Sequence, residues 1–590
     1  MPRKRKPLTA SRRITSFRRD EDGVVLILTT LLIPVLFGIL ALTVEMAAAQ
    51  LNRVEYQRVA DLSSFAGASL YAKTGDFTKA QKQALQVARL NNTDPGLVTV
   101  DLVDSPRDPD NKAIRVTVRN TRKLVIAPVI GLGDELRIGA DATTELRTRQ
   151  STCLLALDPA GAGIYLSGGV DVHAKDCRVG SAASGQMPNG TKLETDGFVY
   201  GTSPPYPDYG LMKEDGSASD VQHGDVLDPF ADSPQIGAVT AALSEARALS
   251  NPPQVSGSNV TFDWSANPPV GKCTAASEGG GQWLVTCPSR AAPYDFGSMT
   301  VGGGARLRFN PDGPATNTYR IQSVNVGGGG AATFGPGNYQ IAAGINAQGG
   351  SSASFGAGNF WIGPGSGGNA IYTAGSSQLS IDSGTGQNVF DVGGNIRTDG
   401  GGCVMLPSGE HHVRGSMSLS GAVILGAGLW AVTDYLAFGE NGGGTAACGG
   451  SVTGLRGLDV TIALGGDRLS SNWACQGRAF CMLAGYDGTR ITAPTAGSTA
   501  GLAIVGPQSA DSTGGMLMSG GAHNTGVAGG VYFPFGPVKL SGDGDLIGMN
   551  LVGMDCLKLV GKEIQVIEGA TVSTTCTDDP LREVRVALVD

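Results

Sequence analysis

The chain has 590 residues, of which 89 are glycine and only 16% are charged, against a typical charged share of about 25%. This composition is typical of a turn-rich β protein of two or more modules. It excludes collagen, because the glycines follow no three-residue period, and disorder, because 41% of the residues are hydrophobic. The net charge of −8 does not attract phosphate backbones, so we expect no nucleic-acid partner.

The N-terminus carries the positive charge, with eight Lys or Arg residues before position 20. The next segment, GVVLILTTLLIPVLFGILALTV at 23–44, contains no charged residue. As a helix it would cross a hydrocarbon core about 30 Å thick. The basic flank predicts that residues 1–22 are a cytoplasmic tail, that 23–46 are a transmembrane anchor, and that the remainder is exported.

Two processed forms compete with a retained anchor. Ala47–Ala49 offer a signal-peptidase motif, but the apolar stretch exceeds the usual length of roughly 7 to 15 residues and a helical pattern continues beyond it. A pilin-type leader cut after Gly23 would usually place Glu at the fifth mature position, where this chain has Leu28. We therefore favour retention of the anchor.

Residues 47–150 are predicted to form an amphipathic helix and a small α+β module. From residue 97 to 149, apolar and polar residues alternate between turn residues, which is the period of half-buried strands. In the helix, Gln57 and Asp61 lie beside an apolar stripe and are candidate contacts for a partner helix. The stripe comprises Leu51, Val54, Arg58, Leu62, Phe65, Ala66, Ser69 and Leu70.

The segment FRRDEDGVVLILTTLLIPVLFGILALTVEMAAAQLNRVEYQRVADLSSFAGASL resembles the N-terminal module of TadE/TadG-like Flp pilus-assembly proteins. The shared features are a basic stretch, a glycine, an apolar helix with internal Pro34, and a continuing helix of the form Q-x-x-x-D-x-x-x-x-A-x-A that begins at Gln57. A weaker similarity extends to CLLALDPAGAGIYLSGGVDVHAKDCRVGSAASG at 153–185. The resemblance implies a bacterial inner-membrane protein whose partners are other Tad/Flp membrane proteins or pilins.

All ten cysteines follow the apolar segment, and their even number in an exported region predicts disulfides. Sequential pairing would enclose short separations, but connectivity does not follow from the sequence. No C-x-x-C pair or finger-like histidine spacing supports a zinc site. Residues 151–290 are predicted to be a cysteine-containing, loop-rich β region, and within it residues 186–290 could be either early solenoid coils or a linker. The cysteines are Cys153, Cys177, Cys273, Cys287, Cys403, Cys448, Cys475, Cys481, Cys556 and Cys576.

A repeat identifies the architecture of the C-terminal half. TFGPGNYQI at 333–341 and SFGAGNFWI at 354–362 lie 21 residues apart, and related phrases occur upstream and downstream. Periods of this length, with sharp glycine turns and inward aromatic residues, are typical of solenoids. We predict a mainly β protein with a disulfide-stapled parallel β-helix over 291–580. A β-sandwich is the competing architecture.

The sequence shows no catalytic constellation. Six acidic residues of the repeat region follow no common spacing and are interpreted as solvated turn residues: Asp382, Asp391, Asp399, Glu410, Asp434 and Asp459. His411 and His412 would point to opposite faces of a strand and are interpreted as exposed. We expect no enzyme activity, cofactor or metal. The leading hypothesis is a membrane-anchored pilus-assembly or adhesion protein, and the alternatives are a polysaccharide-binding or polysaccharide-degrading β-helix and a structural envelope protein.

Overall fold

The structure is a computed structural model. It describes residues 22–74, 76–107, 111–125, 127–130, 133–148, 152–188, 191–231, 233–264, 268–382, 384, 388–440, 448, 452–471, 474–483, 485–511, 514–549, 556–576 and 584–589. Residues 1–21 of the predicted cytoplasmic tail lie outside the described residues. The chain divides into two compact units, Met1–Arg149 with Arg582–Asp590 and Gln150–Leu581. The second unit is thus inserted in sequence before the last segment of the first.

The first unit begins with a single long helix, α1 (Asp22–Thr74). Among the described residues it is the one helix that is long and apolar enough to cross a membrane, and its most apolar window is unburied in this chain. The helix continues through Pro34, which cannot donate a backbone hydrogen bond. It also has no break near residue 46, so the apolar segment and the following amphipathic segment are one element.

The second half of α1 packs on a small antiparallel sheet. The sheet has the strand order β1 (Val98–Asp104), β2 (Lys112–Lys123), β3 (Glu135–Thr148) and then the C-terminal strand Val584–Val589. A second helix, α2 (Phe77–Leu90), and short 3₁₀ turns at Pro95–Leu97 and Ala127–Ile130 complete the described part of the unit. The buried side of α1 carries small residues, which let the helix approach the sheet closely: Val59, Ala60, Ser63, Ser64 and Ala68.

The second unit is a three-faced parallel β-helix, so the predicted solenoid is confirmed and a β-sandwich is excluded. Each coil contributes one strand to each face, and strands pair in parallel with those of neighbouring coils. In stacking order the first face comprises Tyr294–Val301, Thr318–Val326, Asn338–Ile341, Phe360–Ile362, Asn388–Val392, Gly409–Val413, Gly428–Val432, Val460–Leu464, Leu502–Val505, Thr525–Phe533, Leu557–Gly561, Thr152–Ala156, Asp171–Ser181, Lys192–Tyr200 and Asp220–His223.

The other two faces share five longer strands with the first, because those strands turn a corner of the coil. The second face adds Val260–Phe262, Ile345–Ala347, Asn369–Thr373, Asn395–Thr398, Met417–Leu419, Leu436–Phe438, Phe480–Met482, Met516–Met518, Val538–Leu540, Ile564–Ile567, Ile164–Ser167 and Gly185–Gln186. The third adds Thr274–Gly279, Gln282–Thr286, Arg306–Phe309, Ala331–Phe334, Ser352–Phe355, Gln378–Ile381, Cys403–Met405, Ala422–Leu425, Leu455–Gly457, Arg490–Thr492, Asp545–Gly548, Thr571–Thr575 and Leu211–Met212. Thr274–Gly279 is antiparallel to its neighbour.

The repeat in the sequence is one coil of this helix. Phe334 pairs in register with Phe355, and their rings stack with centroids 4.4 Å apart. Tyr339 pairs with Phe360 in the same way on the first face, at 5.3 Å. A 21-residue step therefore places each inward aromatic ring on its counterpart in the next coil, which buries a face that one coil could not bury alone.

The order of coils in the stack differs from their order in the sequence. The strand that begins at Thr152 pairs in parallel with Leu557–Gly561, with Leu154 opposite Leu559. The next strand of each segment follows the same register, with Ile164 opposite Ile564. The first coils of the unit are therefore stacked on its last coil, as if the chain continued from residue 575 to residue 152.

A connecting segment then returns the chain to the other end of the stack. It contains α3 (Pro234–Ala248), which lies against the outer side of the first face. The helix begins with Ser233, whose side chain accepts a hydrogen bond from the Ile236 amide, and with a proline at its first turn. For residues 186–290 the structure thus contains both of the alternatives that the sequence left open, namely coils and a connection.

Candidate functional site

The two helix residues predicted to contact a partner, Gln57 and Asp61, lie at the junction between α1 and its own sheet. Gln57 Nε2 donates to Asp61 Oδ1 at 2.9 Å and to the Asp141 carbonyl oxygen at 3.0 Å. Arg115 Nη2 lies 2.8 Å from Asp141 Oδ2. These side chains line an open groove of about 390 Å³. Their described contacts are therefore internal to the module, and a partner contact stays a prediction.

The part of the apolar stripe of α1 that runs from Leu51 to Phe65 lies on the exposed side of the helix, whereas Ala66, Ser69 and Leu70 are half-buried. Leu51 is 72% exposed, and Val54, Leu62 and Phe65 are also exposed. The positions recur at intervals of three or four residues and so form one surface along the helix. This surface follows the apolar membrane-length segment of the same helix without interruption. Within the described residues, Leu51, Val54, Leu62 and Phe65 thus form an exposed apolar surface on α1 beyond residue 46.

The ten predicted cysteines all form disulfides, and the pairing is sequential: Cys153–Cys177, Cys273–Cys287, Cys403–Cys448, Cys475–Cys481 and Cys556–Cys576. None of them is free. The sulfurs of Cys153, Cys177 and Cys576 lie within 4.8 Å of one another. They belong to two disulfides that meet where the first coils stack on the last coil. Each of these disulfides closes its own segment, and their sulfurs lie close together at the junction where the stacking order departs from the sequence order.

The histidine pair divides between the inside and the outside of the wall, as alternation predicts. His411 is fully buried in the inward ladder between Phe390 and Trp430, and its ring stacks on Trp430 at 3.7 Å. His412 faces outward, and Asp391 Oδ1 lies 2.9 Å from its Nδ1 atom. The expectation that both are exposed is wrong: α3 covers His412, whose side chain is 8% exposed.

The six acidic residues of the repeat region do not converge on one site. Asp399 contacts Arg397 and Tyr372, while Asp434 is buried against Arg468 at 2.6 Å, so the interpretation of Asp434 as solvated is wrong. Two of the remaining acids, Asp391 and Glu410, meet at His412. Glu245 of α3 joins them there, although no motif in the sequence marks this residue.

A groove with exposed tyrosines lies at the end of the stack formed by the first coils. It has a volume of about 900 Å³. Tyr206 is 80% exposed and Tyr209 is 64% exposed, and Tyr165 and Gln186 also line the groove. Flat aromatic faces beside amide and hydroxyl groups can stack on sugar rings and bond their hydroxyls.

Comparisons with protein-family models, with curated proteins and with solved structures found no match for this chain.

Proposed function

We propose that this protein is a membrane-anchored, non-enzymatic component of a Tad/Flp pilus system that acts in pilus assembly or surface adhesion. In this proposal residues 1–22 lie in the cytoplasm of a bacterium, α1 crosses the inner membrane, and the β-helix lies in the periplasm or cell envelope. The assignment to this system rests on the resemblance of the N-terminal segment. The basic flank and the disulfides both favour an oxidising location for the β-helix.

The observation that carries the proposal is the change of environment along α1. Its first half is apolar on all sides and unburied, which suits contact with lipid. Its second half packs small residues on the sheet and exposes Leu51, Val54, Leu62 and Phe65 on the other side. Because this exposed stripe continues from the membrane-length segment, the partner that it fits is a helix of another membrane protein.

The β-helix supplies a rigid exported surface. Its coils are stacked on an inward ladder of aromatic and aliphatic residues and stapled by five disulfides. A protein that holds a partner or a surface at a fixed distance from the membrane needs such stiffness. Asp399 and Asp434 pair with Arg397 and Arg468, which favours structural roles for these two carboxylates over catalysis.

The test is deletion of the coding sequence in the bacterium that encodes it, with Flp filaments counted by electron microscopy and attachment scored in the same cultures. Loss of filaments indicates a role in assembly, and normal filaments with lost attachment indicate adhesion. Complementation with Leu62→Ser/Phe65→Ser should fail, while Arg58→Ser, on the same exposed face, should restore function. If deletion changes neither filaments nor attachment, the pilus assignment is wrong.

The tyrosine groove favours a second candidate, a polysaccharide-binding β-helix of the envelope. Its occupant would be a glycan whose sugar rings stack on Tyr206 and Tyr209. Binding of the full chain to a glycan array should disappear in Tyr206→Ala/Tyr209→Ala and persist in Tyr71→Ala, a tyrosine of the other unit. Equal binding by the wild-type chain and both variants would show that the glycan does not bind in this groove.

A further inference from the structure

His412 lies at a contact between α3 and the wall of the β-helix. Its strand, Gly409–Val413, and the adjacent strand that carries Asp391 belong to the first face. Glu245 reaches the same point from the last turn of α3. The Nε2 atom of His412 is buried and has no hydrogen-bond partner among the residues that the structure describes. Glu245 Oε2 lies 3.4 Å from it and Glu410 Oε1 lies 3.6 Å from it.

These distances fit a shared cation. An ion with ligand bonds of about 2.0–2.1 Å in tetrahedral geometry holds its ligands about 3.3 Å from one another. The three ligand atoms of His412, Glu410 and Glu245 all lie within 4.8 Å of one another, so small side-chain adjustments would close the set. Glu245 and Glu410 are more than half exposed, so these two ligands can adjust and an ion can enter from solvent.

The second ring nitrogen of His412, Nδ1, pairs with a carboxylate, as it commonly does in histidines that bind a metal ion. Asp391 Oδ1 accepts from Nδ1 at 2.9 Å. Such a carboxylate fixes the tautomer that leaves the Nε2 lone pair free, and it increases the basicity of that nitrogen. His412 is therefore held, buried and oriented with its free nitrogen toward two carboxylates.

Local charge also favours a cation over a simple ion pair. A protonated His412 would face three carboxylates, so the cluster would keep an excess of negative charge. Glu245 stands in the last turn of α3, where the helix dipole disfavours an anion and favours a cation. The nearest basic residue of that turn, Arg247, is bound to Asp467 instead, at 2.7 Å.

We propose that His412, Glu410 and Glu245 bind a divalent transition-metal ion, with Zn²⁺ as the best fit, and that this ion fastens α3 to the β-helix. One imidazole nitrogen with two carboxylate oxygens suits Zn²⁺ better than Mg²⁺ or Ca²⁺, which prefer oxygen ligands alone. Water completes the coordination from the solvent side. The ion acts as a clamp between two segments that are far apart in sequence.

The first test is calorimetric titration of Zn²⁺ into the full chain in detergent, after EDTA treatment and without reductant. We expect one site whose affinity falls at least tenfold in Glu245→Gln and in Glu410→Gln. Asp391→Asn should weaken it by about 10- to 100-fold, as loss of such a supporting carboxylate does. His173→Ala is the matched control, because His173 is partly exposed, pairs with Glu194, and belongs to neither group of three potential metal ligands among the described residues.

The second test measures the clamp itself by limited proteolysis of the connection at residues 224–259. Zn²⁺ should slow cleavage there in the wild-type chain and have no effect in Glu245→Gln, a substitution at an exposed residue that keeps the fold. Absence of Zn²⁺ binding to the wild-type chain would overturn the proposal. Unchanged binding in both Glu variants would also overturn it, because the ion would then lie elsewhere.

Discussion

His411 and His412 are neighbours in sequence, but His411 lies inside the β-helix and His412 lies on its outer side. His411 occupies a position of the inward-facing side-chain ladder that is otherwise filled by aromatic rings. In the register of the first face it occupies a position that holds Phe390 one coil before and Trp430 one coil after. Its Nε2 atom lies 2.6 Å from the Pro407 carbonyl oxygen, which can accept a hydrogen bond from an Nε2–H group. An imidazole thus serves here as an aromatic ring of the core, and its burial favours the neutral form.

Burial lowers the pKa of His411 from 6.5 to about 4. Because the folded pKa is depressed, the unfolded chain binds a proton first, so stability is full above pH 6.5 and falls as the pH drops toward 4. The loss from this group should reach about 3 kcal/mol. We predict that His411→Phe, which keeps an aromatic ring in the ladder, makes the thermal midpoint less sensitive to pH between 6.5 and 4.

Calorimetric scans of both proteins across that range check this prediction. The quantity to compare is the difference between the two pH profiles, since other groups titrate equally in both proteins. His523→Phe is a control, because His523 is half exposed. Parallel profiles for wild type and His411→Phe would contradict the neutral, buried assignment.

For single residues, the sequence predicts which side of a strand a side chain faces better than it predicts what covers that side chain. Alternation correctly placed His411 and His412 on opposite sides, because the strand period is a local property. Alternation could not show that His412 is buried, because the residues that bury it belong to α3, which is distant in sequence. Gln57 and Asp61 were singled out because they lie beside the apolar stripe of one helix face, which is also a local pattern. The bond from Gln57 to the Asp141 carbonyl oxygen requires the folded sheet and could not be foreseen in the same way.

At the scale of elements, the turns between faces depend on the close approach of successive coils. In SFGAGNFWI, a Cβ atom on Gly358 would lie 1.7 Å from the carbonyl oxygen of Gly337 in the preceding coil. No side chain fits there without a shift of the backbone. Glycine is thus required at this turn by proximity between coils, and not by a left-handed backbone conformation.

We predict that Gly358→Ala destabilises the β-helix by about 1–3 kcal/mol, the usual cost of overpacking. The matched control is Gly327→Ala, because a Cβ atom there would meet its nearest neighbour at 3.8 Å, an ordinary contact. Thermal midpoints from circular dichroism distinguish the two. An equal decrease in both variants would contradict the prediction, because of these two glycines only Gly358 closely approaches the preceding coil.

The sequence predicted repeating elements well and isolated ones poorly. The 21-residue phrase specifies both spacing and inward residues, so the parallel β-helix followed from it. α3 was missed, although Ser233 and Pro234 are a recognisable helix start. Its packing could not be foreseen, because it depends on the small residues Ala431 and Ala463, which pair in register only after the coils have stacked.

At the scale of the whole molecule, the stacking order couples the two ends of the inserted unit. In most solenoids each coil contacts only its sequence neighbours. Here the coils that begin at Thr152 rest on Leu557–Gly561 and the strands that follow it. The early coils therefore lack one neighbouring coil until the last residues of the unit have folded. Their contacts join residues far apart in sequence, which raises the contact order of the unit.

This coupling gives a prediction about truncation. A chain that ends at Met549 loses the strands under Leu154 and Ile164 and should leave residues 152–223 open to protease, although none of those residues is deleted. A chain that ends at Leu581 keeps that support and removes only the last segment of the other unit, so it is the matched control. Limited proteolysis with mass mapping separates the two outcomes. If residues 152–223 resist cleavage equally in both chains, the early coils are stable without the last coil, and the stacking contributes little to their folding.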